Sequence, residues 1–178
     1  EAPLNRKKQY VFVFNHLSYL DIPVLMKAIP TQYFRILGKA ELSKIPIFGF
    51  LYKNAVISVD RSNVANRAKS VQQLKAFLRK GISIVLSPEG TFNMTHKPLK
   101  DFYDGAFKLA VDTQKPIIPV VLLNTKNILP AYPMMYFKPG RIQMDILTPI
   151  SSQGHTVQSL KQLAFDTMAA HYKLHNSA

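Results

Sequence analysis

The sequence predicts an α/β fold, a single domain with a mostly parallel mixed sheet covered by helices. Two observations carry that prediction. Short apolar runs of strand length alternate along the chain with segments whose apolar residues recur at helical spacing. Strands alternating with helices are joined by crossovers, and crossovers make neighbouring strands parallel.

Taken in order, Val11–Phe14 reads as a buried strand and Val56–Val59 as a second. From Ser62 to Lys80, residues Val64, Ala68, Val71, Leu74 and Leu78 fall on one helical face, with Ser62 placed to cap the start and Gly81 to stop the end. The opposite face carries Arg67, Lys69, Lys75, Arg79 and Lys80. Ile82–Leu86 is a short apolar strand, and Phe102–Gln114 a helix closed by Pro116. Ile117–Leu123 is a strand, but Pro119 lacks an amide donor, which predicts an edge position or a bulge there. Arg141–Leu147 alternates Ile142, Met144 and Ile146, so one of its faces should be buried. Thr156–Lys173 closes the chain as an amphipathic helix. No internal repeat and no linker interrupts this order, which predicts one domain over residues 1–178.

Two segments fit the scheme less well. Ile45–Tyr52 and Leu129–Pro139 are rich in aromatics, methionine and proline between them. Such a stretch packs core under a loop, or presents an apolar surface to an acyl chain or a bilayer, and the sequence leaves both open.

Composition narrows the chemistry. The chain has 178 residues, 47% hydrophobic and 19% charged, enough for a substantial core. Its lack of cysteine excludes disulfides, thiolate nucleophiles and cysteine-ligated zinc, and suits a reducing compartment. With 23 Lys+Arg against 10 Asp+Glu the formal net charge is +13, which attracts nucleic acid, anionic lipid headgroups or small phosphorylated substrates. No apolar run reaches the length of a membrane span.

The segment that points to a reaction is Asn15-His16-Leu17-Ser18-Tyr19-Leu20-Asp21, which follows the first strand directly. Histidine takes and returns a proton near neutral pH, and a carboxylate bonded to its other ring nitrogen fixes the tautomer and steadies the imidazolium. The chain has no G-x-S-x-G elbow and no cysteine, so such a pair would activate a nucleophile belonging to a substrate. Asn15 and Ser18 suit the loop itself, capping the next helix or bonding its backbone. His171 and His175 have the spacing of a metal pair but no third ligand close in sequence, and together with His96 and His155 they read as ordinary surface residues.

Three further segments follow in order: Val56-Ile57-Ser58-Val59-Asp60-Arg61, Ser87-Pro88-Glu89-Gly90-Thr91, and Lys115-Pro116-Ile117-Ile118-Pro119-Val120. Together with Asn15-His16-x-Ser18-x-x-Asp21 they resemble the four blocks of the glycerolipid acyltransferase family, over about Tyr10 to Leu123. The resemblance implies a glycerol-3-phosphate acyltransferase-like fold and transfer of a fatty acyl group from a thioester, acyl-CoA or acyl carrier protein, to the hydroxyl of lysophosphatidic acid, with no bound cofactor and no metal. It implies His16 as general base and Asp21 as its support. It further implies acceptor and phosphate contacts from Arg61, Glu89, Gly90 and Thr91, and from Lys39 in Gly38-Lys39-Ala40-Glu41-Leu42. An N-terminal membrane-anchoring segment, common in the family, would precede this chain, and the enzyme would work at the cytoplasmic face of the inner membrane. The basic excess then serves an anionic lipid surface and a phosphate-bearing donor.

The third block departs from the family pattern. It reads Pro-Glu-Gly-Thr-Phe-Asn, with Phe92 where the family usually has an arginine, and Ser87 stands where an aromatic residue usually precedes it. The second block has Asn54-Ala55 in place of its glycine. None of these changes touches the pair, but they open the choice of acceptor to another lysolipid, such as a lyso-aminoacyl lipid. A basic nucleic-acid-binding module is the rival from another class; against it, no recognised motif is present, and the aromatics cluster in apolar stretches instead of alternating with basic residues.

Overall fold

The computed structural model describes residues 4–5, 7–29, 33–39, 56–59, 64–132 and 136–175. Its elements in chain order are β1 (Val11–Phe14), α1 (Asp21–Ala28), β2 (Phe34–Lys39), β3 (Val56–Val59), α2 (Val64–Arg79) and β4 (Ser83–Leu86), followed by α3 (Gly105–Thr113), β5 (Ile117–Leu123), α4 (Thr125–Ile128), β6 (Gln143–Ile146) and α5 (Val157–His175). The six strands form one sheet in the order β3-β2-β4-β1-β5-β6. All neighbouring pairs are parallel except β5 with β6. The α/β reading, a mostly parallel sheet covered by helices, is the architecture found.

Each face of the sheet has its own core. Val11, Val13, Ile84, Leu86, Ile117 and Val121 point to the side covered by α2, α3 and α5, where Leu78, Phe107, Leu160 and Met168 meet them. Phe12, Phe14, Val85, Ile118, Val120 and Leu122 point to the other side, against Leu25 of α1 and Ile29. Strands covered on both faces are apolar throughout, and this is why β1 and β5 are buried at every residue. Burying one such phenylalanine contributes about 1.5–3 kcal/mol, so β1 with Phe12 and Phe14 anchors the loop that follows it.

The end of α2 shows how local sequence sets an element. Gly81 has φ +84°, its N–H reaches Leu78 O at 3.2 Å, and Ile82 N reaches Phe77 O at 3.0 Å. That is a Schellman closure, which needs a left-handed residue and therefore favours glycine. The expected cap Ser62 lies outside the described residues.

Three expectations are corrected. The predicted helix Phe102–Gln114 starts at Gly105, because Tyr103 N–H bonds Pro88 O at 2.9 Å and Phe102 is turned into the core. β5 is an interior strand, so Pro119 does not mark an edge; the other half of that expectation, a bulge, is what occurs. Val120 faces Ile146 and Ile117 faces Ile150, so three steps on β5 meet four on the returning chain. The missing Pro119 donor falls in that gap, where Leu147 N–H bonds Pro119 O at 2.9 Å. Finally, Phe34–Lys39 is a strand that no pattern in the sequence singled out; it lies between β3 and β4.

Of the two aromatic segments, Ile45–Tyr52 lies outside the described residues. The described part of the second is split: Ala131 is buried and Leu129 half-buried, while Tyr132, Tyr136 and Phe137 are exposed. Arg141–Leu147 contributes only the edge strand β6, with Met144 and Ile146 half-buried against the α1 side. Among the described residues, no helix is long and apolar enough to cross a membrane.

Candidate active site

The carboxyl ends of β1 and β4 lie side by side in the middle of the sheet, with β5 on the other side of β1. Loops leaving these ends in an open α/β sheet form its natural crevice. The β1 loop carries His16 and leads into α1, whose first residue is Asp21. Asp21 is fully buried, and its Oδ2 lies 2.8 Å from His16 Nδ1. The same oxygen accepts the backbone N–H groups of Leu17 at 2.7 Å and Ser18 at 2.8 Å. A carboxylate at a helix N-terminus is also favoured by the helix dipole.

This geometry decides the tautomer. A carboxylate only accepts, so His16 Nδ1 carries the proton and Nε2 keeps its lone pair in the neutral ring. The imidazole is partly exposed, so that lone pair is within reach of a substrate hydroxyl.

The loop is fixed from three sides. Asn15 bridges to β5, with Nδ2 donating to Leu122 O at 2.9 Å and Oδ1 accepting Leu122 N–H at 2.7 Å. Ser18 Oγ accepts Leu20 N–H at 3.0 Å and donates to Leu129 O. Asn93 N–H donates to His16 O at 2.7 Å. Ser18 serves the loop backbone as its sequence position suggested. Asn15 does not cap the helix; it ties the loop to the neighbouring strand instead.

After β4 the chain turns at Ser87–Gly90, where Gly90 N–H reaches Ser87 O at 3.3 Å and Gly90 has φ +73°, a conformation that favours glycine. Glu89 is fully buried in this turn, and its Oε1 accepts His16 N–H at a long 3.4 Å. Burial pushes its pKa from 4.5 up to about 8; the backbone N–H groups of His16 and Lys100 oppose the shift, and the charge of Asp21 adds to it. At neutral pH Glu89 is thus mostly a neutral acid. Glu89, expected at the acceptor, has its carboxyl turned to the backbone N–H of His16.

Gly90 and Thr91 line a groove of about 490 Å³ together with Leu37, Leu74, Leu86 and Ala106. The walls are mostly apolar, and Ser87 Oγ is buried at its edge without a partner. Lys39 ends β2, two residues after Leu37. Arg61 lies outside the described residues.

The neighbour that sequence reasoning placed only as a departure is Phe92. Its ring centroid is 4.1 Å from that of His16, and Tyr19 meets Phe92 edge-on at 4.8 Å. With Phe14 at 5.5 Å on the strand side, the imidazole stands between aromatic rings. Nothing local in the sequence announces Tyr19 or the Asn15–Leu122 bridge. Away from this site, His171 Nε2 pairs with Asp145 Oδ2 at 2.8 Å. Among the described residues no three His, Cys, Asp or Glu side chains converge as a metal site would require.

Fold and site together define an α/β protein with a hydrogen-bonded histidine–aspartate pair at the carboxyl edge of a mostly parallel sheet. The family described as Acyltransferase matches residues 1–123, and the chain belongs to that family. An uncharacterized acyltransferase of Schizosaccharomyces pombe is 33% identical over 173 residues, covering 96% of this chain and 61% of that protein. The 1-acyl-sn-glycerol-3-phosphate acyltransferase of Haemophilus influenzae is 30% identical over 86% of this chain and 63% of its own length. The mouse 1-acyl-sn-glycerol-3-phosphate acyltransferase alpha is 31% identical over 87% of this chain and 54% of its own. The chain thus spans roughly half to two thirds of these three relatives. The crystal structure of the 1-acyl-sn-glycerophosphate acyltransferase PlsC from Thermotoga maritima shares the fold, with a TM-score of 0.79 over 95% of this chain and 67% of that one, at 23% identity.

Proposed function

We propose that this chain transfers a fatty acyl group from a thioester to the free hydroxyl of lysophosphatidic acid, giving phosphatidic acid. The observation that carries the reading is the His16–Asp21 pair, with Nδ1 held at 2.8 Å and Nε2 left to accept a proton. His16 Nε2 takes the proton of the acceptor hydroxyl as its oxygen attacks the thioester carbonyl. The tetrahedral intermediate collapses, the C–S bond breaks, and the proton on His16 passes to the departing thiolate. Asp21 holds the ring and stabilises the imidazolium throughout. A positioned base contributes roughly 10²–10⁴-fold to such a step.

The names of the relatives support lysophosphatidic acid as the acceptor. The apolar groove beside Gly90 and Thr91 suits an acyl chain, with Thr91 and Gly90 facing the acceptor from its rim. Glu89 then serves by holding the His16 loop from beneath. Lys39 and Arg61 are assigned to the acceptor phosphate, for which a guanidinium that binds two oxygens is well suited. The donor is acyl-CoA or acyl carrier protein, and the enzyme works at an anionic membrane surface, on its cytoplasmic face.

One observation favours a second reading with the same chemistry and another lysolipid. The Phe92 ring stands against His16 where the family usually has an arginine, which removes a charge-assisted phosphate contact worth roughly 1.5–3 kcal/mol. The experiment is an acceptor screen with labelled acyl-CoA and acyl carrier protein, setting lysophosphatidic acid beside lyso-aminoacyl lipid. Product from lysophosphatidic acid that falls with Arg61→Ala through a raised KM supports the first reading. Product from another lysolipid alone supports the second, and product from none refutes both.

A further inference from the structure

We infer that the rim of loops around His16 docks on an anionic lipid bilayer, through exposed aromatics and Met94 interleaved with lysines. The inference rests on the proposed acyl transfer in one respect: the acceptor would reach His16 from the bilayer.

Among the described residues, three loops at the carboxyl edge of the sheet form the rim, and each is tied to the site. The loop after β4 is held by Asn93 N–H on His16 O at 2.7 Å. The segment after α4 begins at Leu129, whose carbonyl accepts Ser18 Oγ from the β1 loop. Lys126 Nζ reaches Thr95 O at 3.3 Å and joins the two, and Lys138 N–H bonds Ile128 O at 2.9 Å, folding the later part back onto α4.

On these anchored loops four large apolar side chains face outward. Tyr132 is 79% exposed, Phe137 65%, Met94 54% and Tyr136 52%. A cluster of exposed large apolar groups beside a site marks an interaction surface. Tyrosine and phenylalanine suit the bilayer interface, where one part of the ring is apolar and its surroundings are wet.

Charge selects the occupant. No acidic residue occurs between Glu89 and Asp101, or between Asp112 and Asp145, so both rim segments are free of carboxylates. Lys97, Lys126 and Lys138 lie on the same two segments, and Lys138 Nζ lies 5.2 Å above the Tyr136 ring. Lysines flanking exposed apolar groups, with no acid among them, match an anionic headgroup layer over apolar tails. Nucleic acid would use the cations but not leave Phe137 and Met94 outward with nothing to bury them.

The sequence supplies a clean test, because it contains no tryptophan. Phe137→Trp places a reporter on the rim. Tyr33→Trp places one at the opposite edge of the sheet, just before β2, at a position 87% exposed. With phosphatidylcholine vesicles containing phosphatidylglycerol, Phe137→Trp emission should shift to the blue and be quenched by brominated acyl chains. Tyr33→Trp emission should not change. Adding Lys97→Gln or Lys138→Gln to the Phe137→Trp chain should lower vesicle partitioning roughly fivefold per lysine lost. Acyl transfer to a short-chain lysolipid dissolved as monomer should be unchanged by these lysine variants. The inference is overturned if Phe137→Trp does not respond or if both reporters respond alike. It is also overturned if pure phosphatidylcholine serves as well, or if an oligonucleotide binds the rim more tightly than the vesicles. A chain that inserts Phe137→Trp yet transfers no acyl group would refute the proposed reaction and leave the docking surface standing.

Discussion

Asp21 Oδ2 accepts His16 Nδ1 at 2.8 Å and, on the same oxygen, the N–H groups of Leu17 and Ser18. One carboxylate oxygen therefore sets both the fold of the loop and the protonation pattern of the ring. Shape and charge at Asp21 are separable by substitution. In Asp21→Asn the amide oxygen still accepts the two backbone donors, so the fold should survive. That oxygen also still accepts His16 Nδ1–H and the amide nitrogen takes the place of Oδ1, so the tautomer is kept while the negative charge that steadies the imidazolium is lost. We expect kcat for acyl transfer to fall roughly 10²–10⁴-fold with little change in acceptor KM. Steady-state kinetics beside a far-UV spectrum of the variant check this. A variant that keeps its kcat would mean that the negative charge of Asp21 does not support the ring.

Asn15 should matter for stability before it matters for chemistry. Its side chain satisfies both backbone groups of Leu122, which are buried in β5. Asn15→Ala leaves that N–H and C=O unpaired, at about 1–3 kcal/mol for each group. Urea unfolding should show a loss of several kcal/mol, and Asn15→Asp should be nearly as harmful because a carboxylate cannot donate to Leu122 O. A loss below about 1 kcal/mol in Asn15→Ala would show that the bridge carries little.

Glu89 predicts a pH dependence of unusual sign. Its folded pKa of about 8 lies above the ordinary 4.5. Between these values the folded chain keeps a proton that the unfolded chain has released, so stability falls as pH rises through this window and levels off above it. The slope contributed approaches about 1.4 kcal/mol per pH unit. Glu89→Gln keeps the shape and the acceptor for His16 N–H without titrating, so it should lose less stability than the parent between pH 5 and 8. Equal slopes in parent and variant, measured by denaturant unfolding across that range, would contradict the buried neutral acid.

Phe92 ties acceptor choice to ring packing. Its contacts with His16 and Tyr19 are each worth about 0.5–1.5 kcal/mol, so Phe92→Ala should lower activity modestly by loosening the imidazole. Phe92→Arg is the sharper probe. It should raise the preference for a phosphate monoester acceptor over an uncharged lysolipid by about 10–100-fold, the equivalent of one charge-assisted contact. An acceptor competition assay reads this directly, and an unchanged ratio would remove Phe92 from the acceptor site.

Much of the sheet was legible because its strands are short, apolar and separated by helical patterns. Val11–Phe14, Val56–Val59 and Ile117–Leu123 appear within the boundaries that their apolar runs suggested. Phe34–Lys39 was not legible, because Arg35, Gly38 and Lys39 interrupt its apolar pattern and its place between β3 and β4 is fixed by long-range pairing. His16 and Asp21 were readable as a pair because five positions of sequence become a loop plus one helix start. The position of Glu89 was not, since only the tertiary fold turns its carboxyl beneath His16 and away from solvent. Tyr19 and Phe92 meet across 73 positions of sequence, a contact that no local pattern records.

The most direct test of the central claim is the rate of acyl transfer by His16→Ala, measured beside the parent with the same thioester donor and lysophosphatidic acid. The proposed reaction predicts that the parent forms phosphatidic acid, and that the variant, folded to the same far-UV spectrum, loses roughly 10²–10⁴-fold in kcat. A folded His16→Ala variant that transfers acyl groups at the parent rate would contradict the role of the pair.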